Sequence, residues 1–282
     1  MSSEFKTLKG RRTHLPLDRP QIMGIVNLTP DSFSDGGRFQ EVDAAVRQAL
    51  QLESEGASVL DLGGESTRPG AAPVTEDEEM DRVLPVLEAL RSKTSAWISI
   101  DTSSPALMLE AGRLGADMIN DVRALQRPGA LEAAATTGLP VCMMHMQGRP
   151  ETMQKQPVYG DLIAEVVAFL QERVRLAEAA GIAKSQIILD PGFGFGKTLE
   201  HNLQLLNQLD QLLHLGCPLL AGMSRKRMLA EITGRELDQR EAAGIAAHLL
   251  AAQKGASLLR VHEVAGLNDA LKVWQASLHI EC

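Results

Sequence analysis

Eight times along the 282-residue chain, a short apolar run rich in β-branched residues stops on a polar side chain: Asn27, Asp61, Asp101, Asn120, His145, Asp190, Ser224 and His262. The runs are QIMGIVN, SVLDLGG, WISID, DMINDV, PVCMMH, QIILDPG, PLLAGMS and SLLRVH. Segments of helical length and periodicity separate them, so the order is strand then helix, repeated. That order predicts an α/β fold, a single (β/α)8 TIM barrel, whose strand C-termini all open onto one face. The polar stops are expected to converge on one site there.

Residues 1–20 read as an N-terminal leader with a short hairpin, and 21–282 as the barrel. Helices are expected at 41–54, 76–92, 104–114, 129–137, 161–180, 199–214, 226–252 with a break near Gly234, and 264–279. Thr75 before Glu76, Asp77 and Glu78, and Ser104 before Pro105, are helix-start signals. EGASVLDLGG, LGADMINDV and KGASLLRVH repeat one αβ turn, a helix ending at Gly and passing through Ala into a strand. The first, second and fifth βα connections (NLTPDSFSDGGRFQ, GGESTRPGAAPVTED, MQGRPETMQKQPVYG) are long and polar, as binding loops are.

A formal charge of −8 and a pI near 5.4 argue against a nucleic-acid face, while leaving room for one cationic cleft. No run of 18 apolar residues or secretory h-region is present, so neither a membrane span nor secretion is expected. Cys142, Cys217 and Cys282 show no metal or disulfide spacing, and a reducing, cytoplasmic setting fits them.

DPGFGFGKT at 190–198 is a glycine-rich loop that fits neither GxxxxGK[ST] nor GxGxxG; its glycines let backbone approach a ligand, or merely close a turn. Asp101, Asn120 and Asp190 end strands, with Lys226 and Arg260 near the same rim. Two acids, an amide and two cations suit a flat heterocycle bearing amino, N–H and carbonyl groups, such as a guanine-like or pterin ring. A metal site is the competing reading of the acids, but no HxxxH or HxH pair supports it. In GMSRKRM, Ser224 suits an N-cap, and Arg225, Lys226 and Arg227 beside a helix start suit an anion. Arg260 and His262 share one side of the last strand and, with Asn27 of the first, form a candidate anion or diphosphate site.

Together IMGIVNLTPDSFSDGGRF, DLGGESTRPGA, ISIDTS, INDVRAL, VCMMHMQG, ILDPGFGFGKT, LAGMSRKRM and LLRVHEV resemble the dihydropteroate synthase family, folate-pathway enzymes that join a pterin to p-aminobenzoate. The resemblance runs from about residue 20 to 275. It implies condensation of 6-hydroxymethyl-7,8-dihydropterin diphosphate with p-aminobenzoate, release of diphosphate, and a need for Mg2+. It implies that Asp101, Asn120, Asp190 and Lys226 bind the pterin, lined by Met144 and Phe195, with Arg260 against its ring. Asn27, Thr67, Arg68, Arg260 and His262 would hold the diphosphate, with Asn27 on the Mg2+. Phe33, Thr67, Arg68, Pro69, Phe195 and Ser224 would surround p-aminobenzoate, with Asp101, Lys226, Arg260 and His262 carrying the catalysis. Cleavage of the C–O bond before attack by the arylamine is the expected order, since an electron-rich dihydropterin methylene can bear cationic charge.

The chain departs from the family at Arg227, where Ser is usual beside the p-aminobenzoate carboxylate, so affinity for that substrate and the response to sulfonamide inhibitors are expected to differ. A methyltetrahydrofolate-dependent methyltransferase would use the same barrel and pterin-reading acids but no diphosphate site. A catalytically silent pterin-binding protein would need few of the strand-end polar residues. The resemblance also implies a homodimer, for which EAAGIAAHLLAAQ offers an apolar face equally explained by packing on the barrel.

Overall fold

The structure is a computed structural model that describes residues 7–29, 38–66, 74–148 and 157–278. Strands β1 (Thr7–Lys9) and β2 (His14–Pro16) form an antiparallel hairpin. Eight parallel strands follow: β3 (Gln21–Asn27), β4 (Val59–Gly63), β5 (Trp97–Asp101), β6 (Met118–Asp121), β7 (Val141–Met144), β8 (Ile187–Asp190), β9 (Leu219–Ala221) and β10 (Ala256–Val261). They pair in chain order, and β10 closes on β3 to complete the barrel. The expected (β/α)8 fold is borne out.

Around the strands run α1 (Arg38–Glu55), α2 (Glu76–Arg91), α3 (Pro105–Leu114), α4 (Ala130–Thr137), α5 (Leu162–Ala179), α6 (Leu199–Asn207), α7 (Arg227–Thr233), α8 (Glu241–Gln253) and α9 (Ala265–Leu278). The long first, second and fifth connections run from Asn27 to Arg38, Gly63 to Glu76 and Met144 to Leu162, whereas the third runs only from Asp101 to Pro105. Much of those three loops lies outside the described residues, including Phe33, Thr67, Arg68 and Pro69.

Strand alternation divides the core in two. Inward side chains Met23, Val59, Trp97, Met118, Cys142, Ile188, Leu220 and Leu258 fill the barrel, and Leu8, Leu15 and Leu17 of the N-terminal segment pack beneath them. The indole of Trp97 donates to Thr13 Oγ1 at 2.9 Å, tying hairpin to floor. Outward residues such as Leu60, Leu62, Ile98, Ile100, Ile119 and Leu259 pack with the helices. A sealed floor leaves the strand C-termini as the open end.

The repeated αβ turn has one physical form. Gly56, Gly115 and Gly255 have φ of 115°, 99° and 97°, a region L side chains rarely enter. Ala57 N donates to Leu52 O, and Ala116 N to Ala111 O, both at 3.0 Å, the same bond of a Schellman turn. Thr75 and Glu78 form a capping box, and Ser104 caps α3 with Pro105 in its first turn.

Two expected helices are divided. Gly234, at φ 67°, ends α7, and a short turn separates it from α8. The segment expected at 199–214 is α helical only to Asn207, and Leu209–Leu215 winds as 3-10 helix. Leu209, Leu212 and Leu215 recur every third residue and are all buried, so three residues per turn put them on one face.

Candidate active site

Above the apolar floor, the same inward parity brings Asp61, Asp101, Asn120, Asp190 and Arg260 into the barrel mouth. Asp101 and Asn120 are register partners on β5 and β6, as are Met144 and Asp190 on β7 and β8. Arg260 crosses the mouth from β10: its Nε donates to Asp61 Oδ2 at 2.6 Å and its Nη2 to Asp101 Oδ2 at 2.7 Å. Asn120 Nδ2 donates to the same Asp61 oxygen at 3.2 Å. Asp61 is fully buried, and its Oδ1 has no hydrogen-bond partner. Without Arg260 this carboxylate would be an uncompensated charge in a low-dielectric interior.

Across the mouth, Asp190 Oδ1 accepts from Gly192 N at 2.7 Å. Lys226 donates its ammonium to the Phe193 carbonyl and lies 4.5 Å from the Phe195 ring centroid, a cation–π contact. Burial pushes Asp101 above the usual carboxylate range against the pull of Arg260, with Asp61 among the charges adding to the rise. Burial also raises Asp190, with Lys226 opposing. It lowers Lys226 to about 8, with Asp190 holding it up. For Arg260 burial works against charge, but Asp61 and Asp101 outweigh it and the guanidinium is held more firmly protonated. Acids, amide and cations in one mouth can pair with both the donors and the acceptors of a flat polar heterocycle.

Beside this cluster, Ser224 Oγ lies 2.9 Å from His262 Nδ1 and 3.1 Å from Glu263 Oε2. Arg225, in the left-handed region at φ 60°, donates to Glu263 Oε1 at 2.6 Å. The N-cap of α7 is Lys226, with no side-chain cap bond, so Ser224 is not the expected cap: the turn at Arg225 places it against His262 instead. Asn27 ends β3, partly exposed.

Of the residues singled out from the sequence, Asp101, Asn120, Asp190, Lys226, Arg260, Met144 and Phe195 meet around the mouth, and Ser224 joins His262. Arg227 stands apart: its side chain is 85% exposed and pairs with Glu231 at 2.5 Å, one turn along α7. His145 does not join the other strand-end residues as expected. It follows the inward-facing Met144, so alternation turns it outward, where its ring meets Phe169 of α5 edge-on at 5.0 Å.

Two residues carry more than their sequence context announced. Asp61 is a strand stop like the others, and nothing in its sequence context marks it as the anchor of Arg260 that the structure shows. Lys197, which follows the glycine loop that fits no phosphate-binding pattern, is a buried amine 3.0 Å from His145 Nδ1. Its only signal was a lysine in an otherwise apolar glycine loop.

A family profile described as pterin binding enzyme matches residues 23–262. The chain is 52% identical to the dihydropteroate synthase of Haemophilus influenzae over 263 residues, covering 93% of this chain and 96% of that one. The Yersinia pestis dihydropteroate synthase in complex with a sulfonamide drug superposes with a TM-score of 0.93 at 50% identity, over 97% of this chain and 100% of that one. The Xanthomonas albilineans dihydropteroate synthase in complex with 7,8-dihydropteroate gives 0.90 at 51% identity, over 98% and 100%. The resemblance in the strand-end motifs is thus borne out along nearly the whole chain, which belongs to the dihydropteroate synthase family of pterin-binding enzymes.

Proposed function

We propose the following division of labour for the reaction this chain catalyses, the condensation of 6-hydroxymethyl-7,8-dihydropterin diphosphate with p-aminobenzoate to 7,8-dihydropteroate and diphosphate. Asp101 and Asp190 accept from the amino and ring N–H groups of the pterin, Asn120 both donates and accepts, and Lys226 donates to the ring. Met144 and Phe195 supply apolar contact. Arg260 releases Asp101 to the incoming ring, keeps Asp61, and lies against the pterin plane. The observation that carries this reading is the single mouth in which Arg260 joins Asp61 to Asp101 while Lys226 sits over Phe195.

Arg260 and His262 face the diphosphate, with Asn27, Thr67 and Arg68. As the C–O bond breaks, they stabilise the departing anion, and Asp101 stabilises positive charge spreading from the methylene into the pterin. The arylamine then attacks, so no side-chain nucleophile is required. Phe33, Pro69, Phe195 and Ser224 enclose the p-aminobenzoate, where sulfonamides compete. Arg227 reaches its carboxylate only by leaving Glu231; an exposed pair of that kind is worth about 0–1 kcal/mol, so the swing is cheap.

The residues present fit Mg2+. Among the described residues no three His, Cys, Asp or Glu side chains gather into a cage, whereas Asn27 offers one hard oxygen at the mouth, and Mg2+ commonly takes one or two protein oxygens with phosphate and water. Bound by Asn27 and the substrate, Mg2+ would neutralise charge on the leaving diphosphate.

Among the described residues no helix is long and apolar enough to cross a membrane, and Cys142 and Cys217 are buried free thiols, which supports a cytoplasmic setting. We infer a homodimer, to whose interface the half-exposed Leu250 of α8 is available.

The test is formation of 7,8-dihydropteroate by the purified protein, with and without Mg2+, beside Asp101→Asn. Mg2+-dependent product that collapses in the variant supports the assignment. Full activity in Asp101→Asn would remove Asp101 from the reaction.

A further inference from the structure

The loop between β8 and α6 carries Phe193 and Phe195 to Lys226, yet it has no strand or helix of its own. Gly192 and Gly194 have φ of 73° and 76°. A Cβ at Gly192 would lie 1.9 Å from the His145 carbonyl oxygen, and one at Gly194 would lie 2.9 Å from Lys226 Cδ. The loop is therefore pressed between the end of β7 and the alkyl stem of Lys226, and its curled backbone leaves carbonyls pointing inward.

Those carbonyls converge on Lys197, which is 3% exposed. Its Nζ lies 3.0 Å from His145 Nδ1, 2.9 Å from Gly192 O and 3.1 Å from Phe195 O. Burial lowers the Lys197 pKa to about 7, with Asp190 holding it up; in its ammonium form it has three N–H groups and no lone pair, so His145 Nδ1 is then the acceptor and three donors meet three acceptors. His145 is suited to this: burial, then Lys197 itself, lowers its pKa to about 3, so it stays neutral. Asn202 of α6 holds the intervening peptide, accepting from Gly194 N at 2.7 Å. Tyr159 completes the outer wall by donating to Gly196 O at 2.8 Å. His145, the acceptor side chain, lies on the helix side of the sheet, against Phe169 of α5.

We propose that Lys197 is a positioning residue for the condensation: its ammonium, cradled by His145, Gly192 and Phe195, fixes the loop so that the Phe193 carbonyl and the Phe195 ring orient Lys226 and shape the p-aminobenzoate side of the pocket. The proposal rests on the functional reading above. It also gives the outward-facing His145 a part in the site, as the acceptor that locates the ammonium.

The experiment compares full-length wild type with Lys197→Met, which keeps the length and loses the donors, and with His145→Leu, which removes one acceptor of three. KM for p-aminobenzoate, KM for the pterin diphosphate and kcat are measured well below each protein's melting temperature, with circular dichroism to check the barrel. The expected result is a KM for p-aminobenzoate raised about tenfold in Lys197→Met and several-fold in His145→Leu, the scale of one lost buried hydrogen bond, with a smaller change in kcat. Unchanged KM values with only a lower melting temperature would make Lys197 a plain core staple and overturn the proposal. Should Lys197→Met not fold, His145→Leu decides by the same criterion. An inactive wild type would overturn the functional reading and this inference together, whereas an active wild type with unaltered variants would overturn this inference alone.

Discussion

The barrel mouth sets three carboxylates, Asp61, Asp101 and Asp190, against two cations, Arg260 and Lys226, and this imbalance predicts an order of stabilities. In Arg260→Met the cation goes and Asp61, fully buried, keeps only the 3.2 Å bond from Asn120. Breaking a buried pair in this way costs about 3–5 kcal/mol, because the charge left behind has lost its solvation and its partner. In Asp61→Asn the shape is kept and Arg260 retains Asp101 at 2.7 Å. The salt bridge becomes a hydrogen bond from the guanidinium to a neutral amide oxygen, and the bond from Asn120 becomes one between two neutral groups, together a loss of about 1 kcal/mol. The new amide nitrogen then stands where Oδ1 already lacks a partner, adding roughly 1 kcal/mol more. Urea unfolding at neutral pH, with equal m-values, should therefore place Asp61→Asn about 2 kcal/mol below wild type and Arg260→Met clearly lower still. Removing the Asp61 charge should also let the Asp101 acid fall, since that charge helps to hold it up. An Asp61→Asn variant as damaged as Arg260→Met would refute the reasoning, because Arg260 would then depend on Asp61 alone.

Three further perturbations test other parts of the fold. His248 accepts from Met223 N at 3.0 Å and lies 2.7 Å from Gly244 O, and burial lowers its pKa from 6.5 to about 4. The unfolded chain therefore binds the proton first, and stability is lost as pH falls below 6.5. Wild type should lose about 2 kcal/mol more than His248→Gln between pH 7 and pH 5, and equal losses would show that His248 does not titrate in that window. Leu8→Ala, fully buried beneath the barrel floor, should cost about 2–5 kcal/mol in urea unfolding while leaving both KM values unchanged; altered KM would mean that the floor communicates with the mouth. Thr75→Ala removes the capping box of α2 and should lower stability by about 1 kcal/mol, with an unchanged unfolding midpoint counting against the cap.

The fold was legible because each of its devices is local. Strand, helix and Gly-Ala turn recur within short windows, and the capping residues sit beside the helices they start. The 3-10 winding of Leu209–Leu215 was not legible, since an apolar residue every third position also satisfies part of a helical pattern until burial of Leu209, Leu212 and Leu215 is known. In the site, a strand that stops on a polar residue marks what can reach the mouth, as Asp101, Asn120 and Asp190 do. Pairing was beyond reach: Arg260 and Asp61 meet across 199 residues of sequence, and no short-range pattern encodes the meeting.

Parity supplies what the stop rule lacks. Met144 is register partner to Asp190 and faces inward, so His145 must face the helices, although both residues end the same strand. The same alternation puts Asp101 inside while Thr102, next in sequence, is turned so that its Oγ1 accepts from Ser104 N at the start of α3. A polar residue at a strand end therefore has two destinations, substrate side or scaffold side, and one position along the chain decides between them. At β7 the scaffold-side residue still faces a cation: the acceptor for Lys197 sits one residue from the mouth and on the other face of the sheet. A barrel of this kind can thus hold a binding loop from behind with residues that never meet the ligand. For such residues, a buried lysine amine facing as many acceptors as its ammonium has protons is the sign to look for.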